Sequence, residues 1–492
     1  MLSFIKQRKS EIIVFLMTAI TSTSHFVIGA SKYATDDSFI LFRYIDNIVY
    51  GNGFVYNQGE NILGATTPLF TLIGAFLKYL FTSVPTPFVV AFVNIVFLSF
   101  ASIYFFKVCR SYIGDNLSFV AVLVFGFNLA KIIPEGMETG LFLFLLFGFI
   151  YHTIVNSNYL SATFVSLLVL TRPDAGLIAI LAFIYWWQKN GIEKALRFTV
   201  LSVLIALPWI IFSTLYFGSF IPQSLITKLY LEDMVNIPGD HAFKSQLASM
   251  SRTYIGKVFD PSSIPLQTIV NLIPFLTLVF LGLRKKIDSS NWIIFAIPFT
   301  YFVTYSISNP VMWVWYLSQM EPMWILLSFL GISVVYENVT NKKFKILFII
   351  LILIGPFYYW SSGVLNKNPG SEITNIEVAT YIRSKISKGE TVGINNIGIL
   401  GYSLFDYKII DFFGLTNDYA ASYYPPEGKC IDKSRMYSIP PKLIVFTAPD
   451  WIVLGGEGEL DPCFIKDKWF QGKYSKELFD GTSEAIIWRK KK

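Results

Sequence analysis

Apolar residues occur in long runs from the N-terminus to about residue 360, separated by short polar or basic loops. Runs near the roughly 20 residues that cross a bilayer read as spanning helices, with some shorter ones accepted. They cover Glu11–Ala30, Pro85–Lys107, Leu117–Ile133, Thr139–Val155, Tyr159–Thr171, Ala175–Gln188, Phe198–Tyr216, Ile264–Leu283, Asn291–Ser308, Trp324–Tyr336 and Leu347–Trp360. That makes about eleven spans. A further run, Thr67–Phe81, is settled by charge parity. If it lies in the interface, Lys6/Arg8/Lys9, Lys107/Arg110, Lys189/Lys194/Arg197, Arg284/Lys285/Lys286 and Lys342/Lys343/Lys345 all fall on the cytoplasmic side. If it spans, every later basic cluster turns outward. The pattern therefore predicts an interfacial helix there, a cytoplasmic N-terminus and an extracytoplasmic C-terminus. The first apolar run is long and has no clear small-residue cleavage site before Ser31, so an uncleaved helix is expected rather than a signal peptide.

After about Ser361 the pattern changes to short alternating segments with Pro, Gly and charges. Thr391–Ile394, Lys408–Phe412, Leu443–Phe446 and Trp451–Leu454 read as strands, and Glu377–Ser387 as a helix. The expected organisation is a transmembrane region over residues 1–362, with a first outer loop at 31–84, followed by an extracytoplasmic α/β domain at 363–492. That domain is expected to shape acceptor access without supplying a catalytic base.

Composition supports the membrane assignment. Hydrophobic residues make up 53% and aromatic residues 17% of the chain, with a mean hydropathy of +0.53, which is too apolar for one soluble core. The net charge of +7 reflects basic loops rather than nucleic-acid binding. Cys430 and Cys463 both lie in the C-terminal domain, where a disulfide is permitted and two free thiols are the alternative. His25, His152 and His241 show no ligand spacing, which argues against zinc. A Ca²⁺ or Mg²⁺ held by Asp36, Asp37 and Glu135 is chemically allowed, while the expectation is of no resident cofactor.

The first outer loop carries the most distinctive chemistry. Adjacent carboxylates, Asp36 and Asp37, are costly at a bilayer boundary and are usually kept for a task. On a helix starting at Asp36, residues Asp36, Phe39, Ile40, Arg43 and Asn47 share one face, so a carboxylate and a guanidinium look the same way two turns apart. Gly51-Asn52-Gly53 ends that helix, and Thr66-Thr67-Pro68 opens the interfacial one. The plainer alternative is that the two acids cap the helix N-terminus. Glu135 and Glu138 at the outer end of the third span are candidates for orienting an acceptor, with a helix-terminal turn as their alternative. Outer-loop cations, Arg172, Lys228, Lys244 and Arg252, are candidates for holding a phosphate, with Arg43 nearer the acids and Lys228 the first choice.

The series Asp36-Asp37-Ser38-Phe39-Ile40-Leu41-Phe42-Arg43-Tyr44, Gly51-Asn52-Gly53-Phe54-Val55-Tyr56-Asn57-Gln58-Gly59-Glu60 and Thr66-Thr67-Pro68-Leu69-Phe70 resembles the first outer loop of GT-C fold glycosyltransferases of the arabinofuranosyltransferase-like and protein mannosyltransferase-like kinds. Gly136-Met137-Glu138-Thr139, Thr171-Arg172-Pro173-Asp174, Tyr216-Phe217-Gly218-Ser219-Phe220-Ile221-Pro222-Gln223-Ser224, Trp315-Tyr316 and Asp411-Phe412-Phe413-Gly414-Leu415-Thr416 follow the same pattern in order. The chain departs from it at Ala65, where an aromatic is common, and at Asp174-Ala175 in place of Glu-Gly. The resemblance implies a polytopic α-helical GT-C-like membrane enzyme that moves a sugar from a polyprenyl-phosphate donor to a hydroxyl of a cell-envelope glycan, lipid or protein. It also brings Glu60 and Tyr316 among the substrate-binding candidates.

Such a donor carries its own phosphate leaving group, so one carboxylate base and cations for the phosphate suffice. Asp36 is the expected base, with Asp37 as its alternative or as a partner that tunes it. Single displacement inverts the anomeric centre. The competing class is a transporter or flippase for a lipid-linked saccharide. Internal repeats and mid-membrane ionisable residues would favour that class, and neither is evident by eye.

Overall fold

The computed structural model describes residues 2–28, 35–232, 242–251, 265–286, 291–310, 312, 314–365, 372–424, 439–454, 463–479 and 486–491. Every predicted span coincides with a helix: Leu2–Ile28, Thr86–Ile113, Asp115–Leu129, Thr139–Ile154, Asn158–Thr171, Gly176–Asn190, Ile192–Phe217, Pro265–Lys286, Ile293–Ser308, Val314–Asn338 and Lys342–Leu365. Among the described residues, six helices are long and apolar enough to cross a membrane. Several of the others are apolar but shorter, including Thr139–Ile154, Asn158–Thr171 and Ile293–Ser308. The protein is a multi-pass helical membrane protein.

The chain forms two compact units. One comprises residues 1–30, 90–208 and 240–367, and the other residues 31–89, 209–239 and 368–492. This grouping differs from the linear division expected from the sequence, because the first outer loop belongs with the C-terminal domain rather than with the helices that flank it.

In the first unit the Val314–Asn338 helix is central. Of its most apolar stretch, 89% is buried, against 11% for Lys342–Ser362. Glycine lets it approach a neighbour closely, since a Cβ on Gly331 would strike the Leu278 backbone. Small residues at helix crossings are the usual means of packing where burial from water gives no drive between helices. Gly140 plays the same part against Asn94, whose Oδ1 accepts from the Gly140 amide at 3.2 Å while its Nδ2 donates to the Met137 carbonyl at 2.9 Å.

The second unit is built on a five-stranded sheet with strands β1 (Thr391–Ile394), β2 (Lys408–Asp411), β3 (Trp451–Leu454), β4 (Tyr474–Glu477) and β5 (Ile486–Lys490), in the order β2-β1-β3-β5-β4. The first three are parallel, and β5 and β4 extend the sheet antiparallel. Strand alternation feeds two cores. Val392, Ile394, Trp451 and Val453 pack on one face with Tyr44, Tyr56 and Leu63 of the first loop. Ile410, Ile452, Leu454 and Trp488 pack on the other with Leu443, Ile444 and Phe470.

Three predicted strands are strands. The fourth, Leu443–Phe446, lies instead in a helix, Pro441–Thr447. Pro441 in the first turn suits a helix start, and Leu443 and Ile444 are buried while Val445 and Phe446 are exposed. A four-residue apolar run cannot by itself separate strand from helix. The predicted helix at Glu377–Ser387 is present as Glu372–Lys385.

The Thr67–Phe81 run forms a 13-residue helix, Pro68–Leu80, with Phe70, Thr71, Gly74 and Ala75 buried and Leu72, Phe76, Tyr79 and Leu80 exposed. Lys78 closes its C-terminal end by donating to the carbonyls of Thr82 and Val84 at 2.7 and 2.8 Å.

Candidate active site

The Asp36–Val49 helix forms as the sequence predicts, and Ser38 through Asn47 are all buried. Its polar side chains reach mainly for backbone. Asn47 Nδ2 donates to the carbonyls of Val55 and Tyr56 at 2.8 and 3.0 Å, folding the following loop back onto the helix. Tyr44 donates to the Ile62 carbonyl at 2.8 Å and accepts from the Gly64 amide at 2.9 Å. Tyr56 donates to the Ile397 carbonyl at 2.6 Å.

Asp36 and Arg43 grip the two ends of one short helix, Ile399–Ser403. The Gly398 and Ile399 amides donate to Asp36 Oδ2 and Oδ1 at 3.0 and 2.9 Å. A carboxylate suits the positive end of a helix, though here it comes from another segment of the chain. A side chain at Gly398 would collide with the Asp36 backbone, so the close approach requires glycine. At the other end the Arg43 guanidinium donates to the carbonyls of Gly401, Leu404 (3.2 Å) and Tyr407 (2.9 Å), while Nε donates to the Tyr56 carbonyl at 2.8 Å. The plainer sequence reading, that the acids cap their own helix, is not what forms for Asp36: Thr35 stands at that N-cap, with its Oγ1 on Ser38 Oγ at 2.8 Å rather than on a helix amide.

Arg43 is buried and its donors are taken by carbonyl oxygens. These bonds argue against Arg43 as a phosphate ligand, because a phosphate would have to displace those that hold the short helix. Glu60 is likewise committed: it accepts from Asn57 Nδ2 at 2.9 Å and pairs with Lys408 at 2.5 Å. Asn57 in turn bonds both the amide and the carbonyl of Ile409 on β2.

Burial pushes the Asp36 carboxyl up to about 6; the Ile399 amide opposes the rise, the neighbouring Asp37 charge adds to it, and the Gly398 amide opposes it. Each carboxylate oxygen keeps a further lone pair beyond the one its amide uses. Asp37 is partly buried and has no hydrogen bond or ion pair among the described residues.

The sequence does not point to four contributors: the Gly398 and Ile399 amides, Asp46 and Tyr402. Asp46 is buried and accepts from Thr86 Oγ1 at 2.5 Å and from Tyr402 OH at 2.9 Å. Burial raises its pKa, and these two hydrogen bonds hold the rise back. Its signal was an acid inside an otherwise apolar buried stretch. Backbone amides carry no signal in a sequence.

The Asp411-Phe412-Phe413-Gly414-Leu415-Thr416 segment is a self-contained turn. Asp411 accepts from the amides of Phe413, Gly414 and Thr416 at 2.8, 3.0 and 2.8 Å. The helix Gln223–Glu232 is tied to the same unit through Thr227 Oγ1, which donates to the Gly414 carbonyl at 2.6 Å, and through the Gln223 amide on the Leu63 carbonyl at 2.7 Å. The side chain of Lys228 on that helix lies outside the described residues, as do Arg252, Cys430 and the side chain of Cys463.

The remaining candidates fall in the first unit. Glu138 is buried against Arg172 Nη1 at 2.5 Å. Arg172 also binds Asp174, with Nη2 at 2.9 Å, and Tyr305 OH donates to Asp174 at 2.6 Å. The Arg172 guanidinium lies 5.1 Å from the Tyr316 ring centroid. With the Gln319 amide oxygen turned toward it, the guanidinium gains a further acceptor. Two carboxylates thus outweigh one cation, which weakens Arg172 as a phosphate holder. Glu135 lies partly buried near the ion pair of Lys131 with Glu321, whose N–O distance is 2.9 Å. Lys244 is exposed on the helix Ala242–Ser251 and has no ion pair among the described residues.

Among the described residues no group of three or more His, Cys, Asp or Glu side chains is arranged to hold a metal.

Comparison with solved structures decides the fold. An oligosaccharyltransferase of Archaeoglobus fulgidus tethered to an acceptor peptide matches with a TM-score of 0.60 at 12% identity, over 96% of this chain and 74% of that one. ArnT of Cupriavidus metallidurans bound to undecaprenyl phosphate matches with a TM-score of 0.60 at 12% identity, over 96% of this chain and 97% of that one. The fold is that of the GT-C glycosyltransferases. The Archaeoglobus enzyme in complex with Zn and sulfate is similar too, with a TM-score of 0.59 at 13% identity over 96% of this chain and 72% of that one. Residues 367–485 match a domain of unknown function, DUF8728. No curated protein matches the chain in sequence.

Proposed function

We propose that this protein is an inverting membrane glycosyltransferase that uses a polyprenyl-phosphate sugar and transfers the sugar to a hydroxyl of a cell-envelope glycan, lipid or protein. One observation carries the reading: on the first outer loop of a GT-C fold, the Asp36 carboxylate is held by two backbone amides next to Asp37, which has no hydrogen bond or ion pair among the described residues. Two similar structures hold prenyl phosphates, dolichol-phosphate in the Archaeoglobus oligosaccharyltransferase and undecaprenyl phosphate in ArnT.

In this reading the acceptor hydroxyl oxygen attacks the anomeric carbon, the bond from that carbon to the phosphate oxygen breaks, and the lipid phosphate leaves with the electron pair. Asp36 takes the hydroxyl proton. A pKa near 6 leaves it ionised at neutral pH, yet basic enough for the task. Asp37 keeps a negative charge beside it and so sustains that basicity. Lys228 is the proposed phosphate cation, since Arg43 and Arg172 are committed elsewhere. The basic-loop pattern supports a cytoplasmic N-terminus and an outer C-terminal domain.

The test is transfer from defined prenyl-phosphate sugars by the protein in nanodiscs. Asp36→Asn should lower turnover by about 10²- to 10⁴-fold while donor binding persists, and Lys228→Ala should weaken donor binding instead. Near-normal turnover by Asp36→Asn would refute the base assignment. A flippase would release no prenyl phosphate in step with acceptor modification.

A further inference from the structure

On the flank of the second unit lies a groove of about 700 Å³, within the size range of small-molecule sites. It runs along the C-terminal part of the Asp36–Val49 helix, the Glu372–Lys385 helix and the segment after Ser403. Its lining combines ring faces with uncommitted polar groups. Tyr50 is 63% exposed and meets Phe405 edge to face, with centroids 5.7 Å apart. Gln58, Arg383 and Asp406 line the same groove and have no hydrogen bond or ion pair among the described residues.

The groove is held in shape from below. Arg43 donates to the carbonyls of Leu404 and Tyr407, on either side of Phe405 and Asp406, and its guanidinium lies 5.5 Å from the Phe405 ring centroid. Buried Asp46 fixes Tyr402 at the groove wall. Ligand-binding groups locked by supporting contacts lose little entropy when a ligand arrives.

We infer that this groove binds an oligosaccharide, the part of the acceptor remote from the reacting hydroxyl. This deepens the transferase reading and rests on it. Aromatic faces accept the C–H face of a sugar ring, while an amide, a guanidinium and a carboxylate together meet hydroxyls as both donors and acceptors. A phosphate fits poorly, because Asp46 and Asp406 oppose the single Arg383. An extended peptide fits poorly, because no strand edge lines the groove to pair with its backbone. Ten residues of helix separate Asp36 from Asp46, a rise of about 15 Å. A ligand that fills the groove and also reaches the base is therefore a chain of sugars rather than one ring.

The experiment is saturation-transfer NMR on the full chain in nanodiscs, with neutral linear tetrasaccharides of glucose, mannose and N-acetylglucosamine as probes. At least one should bind, and Tyr50→Ala and Asp406→Asn, both at exposed positions, should each weaken it about fivefold or more in variants whose melting is unchanged. Failure of all three probes to bind at millimolar concentration overturns the inference. So does binding that the Tyr50→Ala/Asp406→Asn double variant leaves intact, or competition by inorganic phosphate or an unstructured peptide. If a tetrasaccharide binds as expected but no prenyl-phosphate sugar is turned over, the transferase reading fails and the saccharide site stands.

Discussion

The two units handle buried charge in opposite ways. In the helical unit, ionised side chains meet one another: Arg172 lies between Glu138 and Asp174, and Lys131 faces Glu321. In the unit built from the first loop and the C-terminal domain, ionised side chains meet backbone: Asp36 takes two amides and Arg43 takes four carbonyls. Paired charges cancel and leave little to offer a substrate. A carboxylate held by backbone stays negative, fixed in place and open at its remaining lone pairs. The second arrangement is the one suited to a catalytic base.

The largest effect expected from this contrast comes from truncation. Removing the chain after Ser362 strips Asp36 of both amides and Arg43 of three of its four carbonyls. Transfer and donor hydrolysis should then both fall to background, measured on a truncation whose helical circular dichroism matches that of the intact membrane region. The sequence alone predicts instead that transfer to a large acceptor weakens more than donor hydrolysis does. Loss of transfer with donor hydrolysis retained would return the domain to an accessory role.

In the helical unit, Arg172→Ala leaves two buried carboxylates without their cation and should cost about 3 to 5 kcal/mol of stability. Arg172→Gln combined with Glu138→Gln should recover part of that, and thermal unfolding in detergent reads both. If the double variant is no more stable than the single one, the charges do not act as a cancelling set.

Arg43→Lys keeps the charge but cannot span several carbonyls with one ammonium. A loss on the order of 2 kcal/mol is expected, each buried acceptor left unmet costing about 1 to 3 kcal/mol. Protease sensitivity within 398–407 is the direct readout, and wild-type resistance would contradict the clamp.

The smallest effect concerns pH. Because burial and the Asp37 charge raise the folded-state pKa of Asp36, ionised Asp36 costs stability above about pH 6, and that cost is relieved as pH falls from there toward the unfolded value near 4. Activity runs the other way: a base must be ionised, so kcat/KM should fall on acidification through about 6. Asp37→Asn removes the neighbouring charge and should shift that acid limb to lower pH by a fraction of a unit. An unmoved limb would mean that Asp37 does not tune Asp36.

Much of the architecture was legible because long apolar runs have few alternatives: each predicted span is a helix, and β1 and β3 have their predicted bounds. Leu443–Phe446 failed because four apolar residues fit either periodicity, and β4 and β5 were missed because Tyr474–Glu477 and Ile486–Lys490 are mostly polar or lie beside charges. At the site, the shared face of Asp36, Arg43 and Asn47 was readable from spacing. What that face touches was not, since its partners are main-chain atoms that any sequence could supply. The same gap made Arg43 look like a ligand for phosphate.

The distance along the chain between Asp36 and its amides has a kinetic meaning. The two are separated by 362 residues. At synthesis rates of about 5 to 20 residues per second, the loop carrying the proposed base waits about 20 to 70 s for the segment that holds it. During that interval Asp36 lacks both its amides, and Arg43 has the Tyr56 carbonyl but not those of Gly401, Leu404 and Tyr407. With Asp36 as the base, transfer is expected to begin only once the segment around Gly398 and Ile399 has emerged.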